Sequence, residues 1–213
     1  YNELSIKLAK LYVVDSDRFK NDDMLIALLL KRKRIIHKAE GKKAVFSQIL
    51  KERIRTKGSL KYTLVYAPEG NEAPECFEND YDRMDNISVD NDTQHLIEEY
   101  TKLVAEVDSH TTVMQFTGET SNRDEILEKF ALGQLDVLTS MKCLDEGVDI
   151  PRSEMAVFCA STGNPRQFIQ RRGRILRLHK DKQYAVIHDL IVVPKIDYGT
   201  TSYTMERNLL NNE

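Results

Sequence analysis

Hydrophobic residues recur with two different periods along this chain, and the period changes near residue 60. Before that point, aliphatic residues repeat every three or four positions, which predicts helices. They are Leu4, Leu8, Leu11, Met24, Leu25, Leu28, Leu29, Ile35, Ile36, Ala39, Ala44, Val45, Ile49, Leu50 and Ile54. We expect Gly41 and Gly58 to end the second and third of these helices.

After residue 60, short apolar runs alternate with amphipathic stretches. The runs predict strands over 63–67, 111–116, 135–139, 155–160 and 183–190. The amphipathic stretches predict helices over 93–107, from a capping box at Ser121 and Asp124 to Leu132, and from Pro165 onward. This alternation predicts an α/β fold with a parallel sheet flanked by helices, preceded by an N-terminal helical segment.

The composition is typical of a globular protein, and its changes along the chain suggest where the segments begin and end. The chain has 213 residues, of which 41% are hydrophobic and 31% charged. We expect a helical linker over 1–58, an α/β lobe over 59–195 and a tail over 196–213. Residues 69–92 carry nine Asp or Glu against one Arg, which predicts an acidic loop or insertion. The chain begins in the middle of a pattern, so we interpret it as part of a longer protein.

Charge, cysteine and histidine patterns narrow the possible partners. The formal net charge is −3, although basic residues are concentrated over 31–57, either as a solvated helical face or as a nucleic-acid surface. No apolar run reaches the roughly 18 residues that span a bilayer, so no membrane is expected. Three cysteines without CxxC spacing indicate reduced thiols and a cytoplasmic protein. The five histidines lack metal-ligand spacing, so no metal site is expected.

Ligands of open α/β sheets bind at the carboxyl ends of the strands, so the loops there are the candidate sites. Thr117 and Gly118 follow one predicted strand and form either a plain turn or a phosphate contact. Thr139 and Ser140 end another strand and could donate to a backbone phosphate. The Asp149 carboxylate, just before a proline, could accept a hydrogen bond from a ribose hydroxyl, although a structural loop is equally consistent with these residues.

The third candidate is a segment with four arginines in seven residues, Arg171 to Arg177. Planar guanidinium groups suit the spread charge of a transferring γ-phosphoryl group. We expect Gly173 to end the preceding helix, so that Arg174 and Arg177 project from a loop. The alternative is a set of surface arginines paired with carboxylates.

These segments together resemble the ordered motifs of superfamily 2 helicases. Gln170-x-x-Gly173-Arg174-x-x-Arg177 is similar to motif VI, Glu146 to Pro151 is similar to motif V, and Leu64 to Ala67 is similar to motif IV. The likeness covers about 60–190 and is strongest to the DEAH-like group, which includes restriction-enzyme motor subunits and nucleotide-excision-repair helicases. It implies the C-terminal RecA-like lobe of a two-lobed motor.

The resemblance also implies a role for each matching residue. Arg174 and Arg177 would be arginine fingers, and Gln170 would lie near the γ-phosphate. Gly147, Asp149 and Gly173 would approach the nucleotide or organise motif VI. The residues expected to contact the nucleic-acid backbone are Thr117, Gly118, Thr139 and Ser140. The implied partners are nucleic acid, with DNA favoured over RNA, and an N-terminal RecA-like lobe of the same protein.

The chain contains no GxxxxGK[ST] phosphate loop and no DEAD or DExH tetrapeptide. ATP with Mg²⁺ is therefore expected to be bound mainly by a preceding lobe, and this chain alone is expected to be inactive as an ATPase. Two alternatives remain open at this point. One is a non-catalytic nucleic-acid-binding or interaction module on the same fold, and the other is an unrelated doubly wound enzyme with a complete site of its own.

Overall fold

The structure is a computed structural model that describes residues 1–13, 18–19, 28, 31–32, 34–68, 91–141, 150–160 and 165–192. The helices are α1 (Asn2–Leu11), α2 (Glu40–Lys57), α3 (Asn91–Val107), α4 (Arg123–Ala131) and α5 (Pro165–Ile175). The strands are β1 (Tyr12–Val13), β2 (Arg18–Phe19), β3 (Thr63–Tyr66), β4 (Val113–Phe116), β5 (Val137–Ser140), β6 (Met155–Phe158) and β7 (Val186–Asp189). Residues 34–37 are also helical.

Five of the strands form one parallel sheet with the order β4-β5-β3-β6-β7. This confirms the predicted α/β class. Strands β1 and β2 form a separate antiparallel pair within the segment that was expected to be helical throughout. In the described part of the chain, no helix has both the length and the apolar character needed to cross a bilayer.

Helices cover both faces of the sheet, because successive strand residues point to opposite faces. On one face, α2 and α3 contribute Phe46, Leu50, Ile97, Tyr100 and Val104 to a core with alternate residues of β3, β5 and β6. On the other face, α4 and α5 contribute Ile126, Phe130 and Ile175. Burying apolar side chains on both faces is the main source of stability for such a sheet.

Several predicted helix ends are wrong, and each has a local cause. Gly41 does not end a helix; it lies in the first turn of α2. Gly58 does end α2, in a left-handed conformation with φ 75° and its N–H bonded to the Ile54 carbonyl. The expected capping box is absent, because α4 begins after Asn122, which has φ 56° and makes no side-chain cap bond.

The basic residues over 31–57 are not the single solvated face that their sequence suggested. Arg32, Lys42 and Arg53 are all buried. The Arg32 guanidinium lies 5.0 Å from the centre of the Tyr1 ring, and Arg53 forms a 3.0 Å ion pair with Glu154. Part of this positive charge therefore belongs to internal packing, because long side chains can bury their stems and pair their heads.

Candidate nucleotide and nucleic-acid interface

The carboxyl ends of the five parallel strands meet at one edge of the sheet. In register, Tyr66 lies between Ser140 and Phe158, with Phe116 beyond Ser140 and Asp189 beyond Phe158. The loops that follow these residues therefore share one edge, which is where open α/β sheets bind ligands.

Helix α5 is attached to this edge by two arginines and two aromatic rings. The Tyr66 and Phe158 rings are stacked with centroids 4.5 Å apart and planes at 13°. The Arg171 guanidinium lies 5.9 Å from the Tyr66 ring centre, and that of Arg172 lies 5.3 Å from the Phe158 ring centre. Arg172 also pairs with Asp189. Half of the arginine-rich motif thus serves to hold the helix on the sheet.

The outward side of α5 and the residues after it carry the remaining motif residues. Gln170, Gly173 and Arg177 are exposed, and Arg174 is half-buried. Among the residues that the structure describes, no atom lies within 4 Å of a Cβ added to Gly173, so none of them requires a glycine there. The motif residues that the resemblance places near a nucleotide are therefore presented away from the lobe's own core.

The expectation that Gly173 ends the helix is wrong. The helix continues to Ile175, and the Leu176 N–H still donates to the Arg172 carbonyl at 2.9 Å. Because Arg171 and Ile175 are buried on the inward side, packing holds the helical backbone on both sides of the glycine. Arg174 consequently projects from the helix itself, and Arg177 from the segment that follows it.

The loop after β4 is a tight turn closed by threonine hydroxyls. The Thr117 N–H donates to Thr120 Oγ1 at 2.8 Å, and the Thr120 N–H donates to the Thr117 carbonyl at 3.2 Å. Gly118 at its tip is exposed, and no atom of the described part of the chain lies within 4 Å of an added Cβ. The tip backbone is thus open to close approach by a phosphate, as a nucleic-acid contact requires.

Thr139 and Ser140 lie on opposite faces of the sheet, and both are buried. The Thr101 hydroxyl donates to the Ile97 carbonyl at 2.7 Å. The Thr139 hydroxyl, on the α3 face, lies 2.7 Å from Thr101 Oγ1 and 3.4 Å from the Met114 carbonyl oxygen. The Ser140 hydroxyl, on the α5 face, donates to the Met141 carbonyl at 3.1 Å. Both hydroxyls therefore have partners within the lobe, and the structure does not favour one over the other for a phosphate contact.

The other two predicted nucleotide residues, Gly147 and Asp149, lie outside the described residues. The sequence did not reveal that Lys42 is fixed at this edge. Its ammonium group donates a 2.9 Å hydrogen bond to the Cys159 carbonyl, directly after β6, so Lys42 is part of the fold and not of a phosphate loop. Burial raises the pKa of the Cys159 thiol, and the Lys42 charge and Tyr100 hydroxyl oppose this only partly.

Part of this chain is similar to known proteins. The family model described as the helicase conserved C-terminal domain matches residues 75–179. The DNA 3'-5' translocase XPB2 of Sulfurisphaera tokodaii is 39% identical over 95 residues, which are 45% of this chain and 20% of that protein. UvrABC system protein B of Cytophaga hutchinsonii is 31% identical over 150 residues, 67% of this chain and 21% of that protein.

Among solved structures, the C-terminal part of the Fun30 ATPase domain has a TM-score of 0.52 at 14% identity, over 95% of this chain and 53% of that one. At that identity the likeness concerns the fold alone. The chain spans about a fifth of the length of the two curated relatives. Residues 75–179 thus carry the helicase conserved C-terminal domain, and the parallel sheet and these matches support the C-terminal RecA-like lobe of a superfamily 2 helicase.

Proposed function

We propose that the whole protein is an ATP-dependent nucleic-acid helicase or translocase and that this chain is its second motor lobe. The observation that carries the proposal is the orientation of α5. Its inward arginines, Arg171 and Arg172, are fixed to aromatic rings, whereas Gln170 and Gly173 face solvent on the other side. A helix arranged this way presents the outward residues of the motif to a ligand outside the lobe.

Arg174 and Arg177 would supply the arginine fingers. ATP with Mg²⁺ would be held mainly by a preceding lobe, and the two guanidinium groups would reach the triphosphate when the lobes close. Their positive charge would stabilise the charge that develops on the transferring phosphoryl group, an effect of about 10³–10⁵-fold in comparable enzymes. Gln170, Gly173, Gly147 and Asp149 would complete the nucleotide contacts.

The nucleic-acid contacts would come from the loops after β4 and β5. The exposed backbone at Gly118, with Thr117 beside it, suits phosphate oxygens, and Thr139 and Ser140 end the neighbouring strand at the same edge of the sheet. Such contacts carry no sequence information, so binding should be largely nonspecific and should weaken with salt. The name of the XPB2 relative, a DNA translocase, supports DNA over RNA as the substrate.

The test is the ATPase activity of the intact protein, measured without nucleic acid and with single-stranded DNA, duplex DNA and RNA. The proposal expects hydrolysis that nucleic acid stimulates, with DNA the stronger activator. The 213-residue chain alone should show no hydrolysis above background, since it lacks a phosphate loop. An intact protein that binds nucleic acid but hydrolyses no ATP would instead support the interaction-module alternative.

A further inference from the structure

A groove of about 630 Å³ lies between helix α2 and strand β7, among the first residues of β6 and β7 and not at their carboxyl ends. Strand β7 is an edge strand of the sheet, and α2 does not cover it fully. As a result, Tyr184 is 57% exposed and Val45 is 46% exposed. Large exposed apolar and aromatic side chains that line one groove are typical of an interaction site.

The shape of this groove fits a helix. Its α2 wall repeats every three or four residues through Val45, Ile49, Glu52 and Thr56. Its other wall consists of Val186 and His188, which are alternate residues of β7 on the α2 face of the sheet, and of Tyr184, two residues before that strand begins. An α/β sheet normally has a helix packed at such a position, beside its neighbour helix and over the edge strand.

The charge of the groove selects the kind of helix. Four cationic side chains line it against one carboxylate, namely Lys51, Arg53, Arg55 and Lys57 against Glu52. The Glu52 carboxylate is already bound by Arg55 through hydrogen bonds of 2.6 and 2.8 Å. Arg53 is paired with Glu154 at 3.0 Å. Among the described residues, Lys51 and Lys57 therefore leave an excess of positive charge at the groove, which is complementary to an acidic partner.

Arg53 adds an unmet hydrogen bond at the base of the groove. Its side chain is 8% exposed and pairs with Glu154 through one terminal nitrogen at 3.0 Å. Its Nε is buried without an acceptor among the described residues. A buried donor without an acceptor is costly, and an acceptor brought by a partner would remove that cost.

We propose that this groove binds an acidic amphipathic helix of a partner protein. The apolar stripe of that helix would cover Val45, Val186 and the Tyr184 ring, and its carboxylates would meet Arg53 and Lys57. This is the helix-in-groove mode of recognition. The site is separate from α5 and from the strand ends, so it stands independently of the proposed motor function.

Two synthetic peptides of roughly 18 residues test the proposal directly. Both carry the same leucine stripe and one tryptophan, and their polar faces carry either glutamate or lysine. The chain has no tryptophan, so peptide fluorescence alone reports binding to the 213-residue chain. We expect saturable binding of the glutamate peptide, weakened by salt, and binding of the lysine peptide that is at least about tenfold weaker.

Variants locate the site. Val45→Glu and Lys57→Glu should each weaken the glutamate peptide about tenfold, and Lys57→Glu should also narrow the difference between the two peptides. Val45 is exposed, so Val45→Glu should leave thermal unfolding followed by circular dichroism nearly unchanged. Lys57→Glu should lower the unfolding temperature by about 4 °C or less, because it loses the contact of Lys57 with the Tyr184 ring at 5.1 Å and places a carboxylate in the last turn of α2. Leu132→Glu, at another exposed aliphatic residue, directly after α4, is the control and should bind as the wild type does. Equal binding of both peptides, or wild-type binding by Val45→Glu, would overturn the proposal.

Discussion

The ammonium group of Lys42 donates a 2.9 Å hydrogen bond to the backbone carbonyl of Cys159, a residue 117 positions later in the chain. Lys42 is only 5% exposed, and this bond ties the start of α2 to the end of β6. A helix that precedes the sheet in sequence is thereby fixed at the same edge as the candidate site.

We predict that Lys42→Met lowers the free energy of unfolding by about 1–3 kcal/mol, because the Cys159 carbonyl would lose a charged donor while it stays buried. Lys43→Met is the control. Lys43 forms a 2.8 Å ion pair with Glu99 in which both side chains are partly exposed, so its loss should cost about 0–1 kcal/mol. Urea unfolding measures the free energy of unfolding of each variant. Equal losses in the two variants would contradict a structural role for the Lys42 hydrogen bond.

The arginines of α5 and of the segment after it should divide into structural and functional pairs. Arg171 is buried against the Tyr66 ring, so Arg171→Ala should destabilise the chain by about 1–3 kcal/mol. Arg177 is exposed, so Arg177→Ala should change stability by about 0.5 kcal/mol or less. Thermal denaturation of the chain separates the two cases, and a large loss in Arg177→Ala would show that it belongs to the packing.

In the intact protein, we predict that Arg174→Ala lowers nucleic-acid-stimulated ATPase turnover by about 10³-fold or more, because it removes positive charge from the transition state. Nucleic-acid affinity should persist. Arg55→Ala is the control. Arg55 is an exposed arginine of α2, where it pairs with Glu52 of the same helix, and it lies outside α5. Near-normal turnover in Arg174→Ala would refute the finger assignment while leaving the fold and family unaffected.

Two glycines should respond to alanine in opposite ways. Gly133 has φ 70°, and a Cβ there would lie 2.6 Å from the Tyr62 hydroxyl oxygen, so Gly133→Ala should cost about 1–3 kcal/mol of stability. Gly118→Ala meets no atom within 4 Å and should leave stability unchanged. On the proposed backbone contact, Gly118→Ala should instead weaken nucleic-acid binding, which filter binding or anisotropy with the intact protein would detect.

Acid should destabilise the lobe partly through His188. Burial lowers the pKa of His188 below its usual 6.5, and the nearby Asp189 carboxylate opposes this only partly. The unfolded chain therefore takes up the proton first, so stability present above about pH 6.5 is lost as pH falls below it. We expect His188→Gln to flatten the decline in unfolding free energy between pH 7 and pH 5, and parallel pH curves would contradict this.

The sheet could be predicted because the period of the hydrophobic pattern changes from helical to strand-like and then alternates. The helix at Pro165 was also predictable, since proline suits a first helical position. The end of that helix was not. Tertiary packing can keep the backbone helical through a glycine. Here Arg171 and Ile175 are buried on either side of Gly173, and this packing is not evident from the local sequence.

The same limit applies to the site. Thr139 and Ser140 are adjacent in sequence, yet the two-residue period of a strand places their side chains on opposite faces, and only the contact with Thr101 shows which face is which. Charge was equally ambiguous, because the sequence does not distinguish a buried lysine such as Lys42 from an exposed one such as Lys51.

The stacked rings of Tyr66 and Phe158 also have a mechanical consequence. Each ring lies at the end of one of two neighbouring strands, and each ring contacts one guanidinium group of α5. A force on that helix would therefore act on the two strands within the sheet and not on its edge. Tyr66 is in register with Ser140. The residues that would contact the triphosphate and those that would contact the nucleic acid therefore belong to one rigid unit and would move together.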